Sequence, residues 1–128
     1  TALYTFENKI LRRIFGPVIE NGQWRIRKNK EIRTLFNEPD VTAVIKSRRL
    51  SWLGHILRRE ELSLLRTSLQ LEPTGRRPLG RPRLRWKDQT MRDLTIVGGS
   101  TKIARDRQGW RRIVCEAKNL LRFTEPHK

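Results

Sequence analysis

The sequence predicts a mainly α protein, with about five or six short-to-medium amphipathic helices and a central extended basic strap. Three observations carry that prediction. Apolar residues recur at helical spacing in several separate stretches. Gly16-Pro17, Asn21-Gly22, Pro39 and Gly98-Gly99 punctuate those stretches. The run PTGRRPLGRPRLRWKD, Pro73 to Asp88, carries three prolines and two glycines, which remove backbone donors and bias each pre-proline residue away from helix.

Leu3, Phe6, Ile10 and Ile14, flanked by Leu11 and Phe15, predict a first helix that ends at Gly16-Pro17. Lys9, Arg12 and Arg13 fall on its polar side, near the end where cations complement the helix dipole. Asn21-Gly22 marks a turn, and Trp24 to Arg27 alternate as a short extended piece. Trp24 is read as packing a loop onto the core, in preference to stacking on a base. Asn29 is the expected N-cap of a short helix with Ile32, Leu35 and Phe36 inward.

Asp40 is the expected cap of the strongest N-terminal helix, Val41 to about Arg59. Val41, Val44, Ile45, Trp52 and Ile56 share one face, widened by Leu53 and Leu57. Ser47, Ser51 and Gly54 line the opposite side, where small residues let a neighbouring helix or a sugar-phosphate backbone come close. His55 has no acid at helical spacing to orient it and is read as structural. Leu62, Leu65 and Leu69 predict a short helix between Glu60 and Leu71.

Beyond the strap, Pro82 suits a first helical turn, and Trp86, Thr90, Leu94 and Val97 with Met91 form a helix stopped by Gly98-Gly99. Ser100 is the expected cap of the last helix, whose apolar face is Ile103, Trp110, Ile113, Val114, Ala117 and Leu121. The organisation is therefore an N-terminal helical region over 1–72, a strap over 73–85, a C-terminal helical region over 86–122 and a tail over 123–128. The chain opens at Thr1 inside an amphipathic pattern and is expected to be a piece of something longer.

Charge points to the partner. There are 29 Lys and Arg against 13 Asp and Glu, a net charge of +16 on 128 residues. A field of that strength draws polyanions from a distance. Arg76, Arg77, Arg81, Arg83, Arg85 and Lys87 concentrate it in the strap, and guanidinium forks match phosphate oxygens. A plain solvated linker has the same composition; the whole-chain charge favours a binding strap. Arg107, Arg111 and Arg112 form a second, smaller candidate patch.

The inventory for catalysis is thin. The 13 acids are scattered, no P-loop spacing occurs, and Cys115 sits mid-helix beside Val114, which favours an inert thiol. One cysteine and two distant histidines, His55 and His127, make no zinc finger. No catalytic residue, metal, cofactor or small-molecule substrate is expected. No apolar run approaches a membrane span.

Four segments in order carry a resemblance: KILRRIFGPVIENGQWRIRKNKEI (Lys9 to Ile32), SRRLSWLGHILRRE (Ser47 to Glu60), GRRPLGRPRLRWKD (Gly75 to Asp88) and ARDRQGWRRIVCEAK (Ala104 to Lys118). Together they resemble the C-terminal region of the endonuclease–reverse transcriptase polyprotein of non-LTR (LINE-type) retrotransposons. The resemblance implies an element protein that acts inside the cell, in the nucleus, and copies its RNA into DNA primed from a target nick. In that family the endonuclease and polymerase domains lie N-terminal to this region, so neither activity passes to a residue of this chain. Some related elements carry a Cys/His zinc knuckle near the C-terminus, a pattern from which this sequence departs. Two readings follow: a non-catalytic module binding template RNA or target DNA through phosphates, or an interaction module packing on the polymerase domain.

Overall fold

The computed structural model describes residues 2–72, 74–76, 79–80 and 84–120. Pro73, Arg77, Pro78, Arg81, Pro82, Arg83, Leu121, Arg122 and the 123–128 tail lie outside the described residues. The fold is mainly α. Among the described residues, six α-helices, α1 (Ala2–Phe15), α2 (Asn29–Phe36), α3 (Val41–Leu57), α4 (Leu64–Gln70), α5 (Trp86–Ile96) and α6 (Arg107–Leu120), are joined by a 3-10 turn (Thr101–Arg105) and one hairpin. The hairpin strands β1 (Val18–Glu20) and β2 (Gln23–Arg25) run antiparallel with Ile19 opposite Trp24. Asn21 and Gly22 both have positive φ, at 52° and 78°, the backbone a tight two-residue hairpin turn requires.

Local chemistry sets most helix ends. The Asp40 carboxylate accepts from the Ala43 N–H at 3.0 Å and starts α3. Gly98, at φ 73°, ends α5, and the Gly99 N–H closes on the Leu94 carbonyl at 3.0 Å. Three starts differ from the sequence expectation. Lys28 is the residue before α2, with the Glu31 carboxylate accepting its N–H at 2.8 Å; Asn29 is already helical and its side-chain oxygen accepts from Arg12 instead. Ser100 caps the 3-10 turn, and Asp106 takes the cap of α6 by accepting from Gln108 N–H at 3.0 Å. Ser63 caps α4, so Leu62 stays outside that helix and is exposed.

α3 is the central element. Its C-terminal half shares one core with α5, the 3-10 turn and α6, built from Leu50, Leu53, Leu94, Val97, Ala104, Trp110, Ile113 and Ala117. Helical segments from both sides of the strap thus bury the same apolar surface. The face of α3 that enters this core is the one carrying Ser47 and Gly54, while Trp52, placed inward by the periodicity, is 49% exposed. The reason is space: a Cβ on Gly54 would lie 2.1 Å from the Trp110 indole nitrogen, so only the small-residue side lets α6 approach.

The N-terminal end of α3 holds α1 and α2 through directed polar contacts. Glu7 pairs with Arg33 at 2.7 Å and accepts the Val41 N–H at 3.2 Å, and the Arg33 guanidinium lies 4.5 Å from the Tyr4 ring centroid. Arg12 donates to the Arg27 carbonyl and to Asn29. These contacts turn α1 so that Tyr4, Asn8 and Leu11 are buried, leaving Leu3, Phe6 (62%), Ile10 and Ile14 (68%) open. Trp24 is 69% exposed on the hairpin, paired across it with exposed Ile19, so it does not anchor a loop to the core. In α2 only Ile32 is fully inward, and Leu35 faces solvent.

Candidate nucleic-acid interface

Two basic regions can be built from the residues upward. The first is the strap. Its described glycines, Gly75 and Gly80, have φ of 110° and 105°, values that side-chain-bearing residues rarely adopt, and Arg76 beside them is exposed. Arg85 precedes α5 in extended conformation and its guanidinium pairs with Glu72 at 3.4 Å, across the two ends of the strap. Part of its charge is therefore engaged within the chain, weakly, because both groups reach solvent. Lys87 lies half-buried in the first turn of α5. Arg77, Arg81 and Arg83 lie outside the described residues.

The second region is a cleft of about 640 Å³ between α3 and α6. Ser51 and His55 line it from one face of α3, and Arg58 and Arg59 from just beyond the C-terminal end of that helix. Arg107, Trp110, Arg111, Val114 and Cys115 line it from α6. No carboxylate is among these lining residues. Close approach of the helices at Gly54 and Trp110 forms the floor, and the long arginine side chains rise from it. Arg58 is held in place by donating to the Ala104 carbonyl at 3.0 Å, which ties α3 to the 3-10 turn.

His55 joins this wall. Its ring stacks on Trp52, centroids 5.1 Å apart and planes 18° from parallel, and its Nε2 lies 3.4 Å from the Arg59 guanidinium. An adjoining groove continues the basic surface with Arg66 and Arg105, although Glu60 and Glu61 also line it. Arg66 is largely committed to structure: it donates to the carbonyls of Leu57 (3.3 Å) and Arg59 (2.9 Å) at the C-terminal end of α3.

Of the second patch expected from the sequence, Arg107 and Arg111 come together in the cleft, whereas Arg112 is exposed elsewhere on α6. Arg58 and Arg59 do not stand out in the sequence as site residues. Their signal is a pair of arginines one turn beyond His55, visible only once α6 supplies the opposite wall. Cys115 is exposed on the cleft wall. Among the described residues, no three His, Cys, Asp or Glu side chains group as metal ligands would.

The chain is similar to an uncharacterised transposon-derived protein of Caenorhabditis elegans, 25% identical over 111 residues. That similarity fits a transposon origin. It covers 80% of this chain and 40% of the nematode protein, so the chain spans about two fifths of its relative's length. No family model matches the sequence, and no solved structure matches it.

Proposed function

We propose that this chain is a non-catalytic nucleic-acid-binding module of a retrotransposon reverse transcriptase, gripping template RNA or target DNA in the nucleus through the phosphate backbone. The observation that supports it is the α3–α6 cleft, where Arg58, Arg59, Arg107 and Arg111 converge with no lining carboxylate. Assembling four guanidiniums costs repulsion in the free protein, and a polyanion relieves it. The strap adds further arginines of the same kind.

The test is the salt dependence of binding to mixed-sequence single- and double-stranded RNA and DNA. Wild type is compared with a strap variant (Arg76, Arg77, Arg81, Arg83 and Arg85 to Ala) and a cleft variant (Arg59, Arg107 and Arg111 to Ala). Every phosphate that a variant no longer neutralises lowers the log–log slope by about 0.9 on duplex DNA and about 0.7 on single strands. Weak binding with one common slope for all three proteins overturns the proposal.

A specific observation supports a second reading, an interaction module that packs on a polymerase domain. The stripe Leu3, Phe6, Ile10 and Ile14 on α1 is exposed and contiguous at helical spacing, as a docking face is. The two readings are compatible, since the stripe and the cleft lie on different helices.

A further inference from the structure

We infer that the α3–α6 cleft is a site for single-stranded nucleic acid, with the phosphates held by Arg58, Arg59, Arg107 and Arg111 and an unpaired base stacking on the Trp52–His55 pair, of which His55 lines the cleft and Trp52 lies beside it. The inference rests on the nucleic-acid-binding reading and narrows it to a strand type and a set of residues.

Trp52 and His55 stand three residues apart on one face of α3, and Arg59, just past the end of the helix at Leu57, brings its guanidinium to the His55 ring. The two rings are nearly parallel, and about half of the Trp52 surface is open to solvent. An indole left at a helix surface and held flat by a stacked imidazole is a ready π platform. Every base has a π face, so such a platform accepts any base, but only one that is not already stacked within a duplex.

The charges fit the same ligand. Arg59 sits at the end of the ring row, 3.4 Å from His55 Nε2, where it can reach the phosphate next to a stacked base. Arg107 and Arg111 face it from α6, one turn apart. Arg58 is fixed by the Ala104 carbonyl, which spares part of the ordering cost when a ligand arrives. A cleft of about 640 Å³ is in the range of pockets that enclose one small ligand. That volume suits a nucleotide or two. An acidic peptide would satisfy the guanidiniums and leave the ring row unused.

Cys115 supplies the readout, because it is the one cysteine of the sequence, exposed, and on the cleft wall. The full chain is alkylated with a maleimide in the presence of a mixed-sequence oligonucleotide of about ten nucleotides, its duplex, or polyglutamate. The single strand is expected to slow labelling several-fold, and the duplex and polyglutamate to slow it far less. In parallel, Trp52→Ala is expected to shrink the affinity ratio of single strand to duplex about ten-fold, within the range of one stacked base, and Trp52→Phe to restore most of it.

Equal protection by polyglutamate, or an unchanged ratio in Trp52→Ala, overturns the single-strand site. If the wild type still binds nucleic acid with a steep salt slope in that case, the broader module reading stands and the strand is held at another surface. If no nucleic acid binds at all, both fall.

Discussion

The Trp110 indole N–H donates to the Leu50 carbonyl oxygen at 2.9 Å, across 60 residues of sequence. Trp110 is 2% exposed, so its polar edge has found a partner inside the core, as a buried indole must. The same ring lies against Gly54, one turn further along α3. This contact sets the distance between α3 and α6, and with it the width of the basic cleft above.

Gly54→Ala is therefore expected to destabilise the fold by about 2 kcal/mol or more, since the added methyl would overlap the indole. Combined with Trp110→Phe, the loss should be less than the sum of the two single changes, because they share one contact. Chemical denaturation of the four proteins of that cycle decides it. Strict additivity would mean that the helices do not meet at this pair.

The hairpin is tied to α2 by Arg25, which pairs with Glu31 at 2.6 Å and with Glu20. The Arg25 hydrogen bonds, followed by that from the Lys28 N–H, pull Glu31 down from an ordinary 4.5 to about 2. A lowered carboxylate contributes stability above its unfolded value and loses it as pH falls towards the folded one. Protection of the Gln23–Arg25 amides, taken as exchange relative to the intrinsic rate at each pH, should accordingly hold at pH 5 and fall between about pH 4.5 and 2, and Glu31→Gln should shrink that fall to the part left by Glu20. A protection factor that stays constant from pH 5 to 2 in the wild type would contradict it.

Asp93 shows the opposite sign. Burial raises its pKa above 3.8, offset in part by Lys46 (4.0 Å away) and Arg49, and its Oδ2 has no hydrogen bond among the described residues. The folded state then holds the proton more tightly than the unfolded one, so stability falls as pH rises through that window. Asp93→Asn is expected to raise Tm by about a few degrees at pH 7 and to change little at pH 3. A lower Tm at pH 7 would show that the Lys46 pair outweighs burial.

On α1, Phe6→Ser and Ile14→Ser should each leave stability within about 0.5 kcal/mol of wild type, while Leu11→Ala costs about 2–4 kcal/mol. Light scattering should fall in the serine variants, because an exposed apolar stripe is removed. A large stability loss from Phe6→Ser would place that stripe in the core after all.

The sequence by itself determined the mainly helical class, the start of α3, the stop of α5 and the hairpin turn. Those features depend on chemistry within a few residues: Asp40 bonds Ala43, Gly98 takes a left-handed φ, and Asn21-Gly22 closes a hairpin turn. Caps failed to be legible where two candidates competed, as Ser100 and Asp106 did before α6. Tertiary structure alone decided which way the helices face. α1 and α3 carry apolar residues on more than one side, so periodicity cannot choose between them. The choice fell to Glu7, which reaches Arg33 and the Val41 N–H, and to Gly54, which admits Trp110. The cleft follows from that choice: Arg58 and Arg59 become part of a site only because α6 brings Arg107 and Arg111 opposite them.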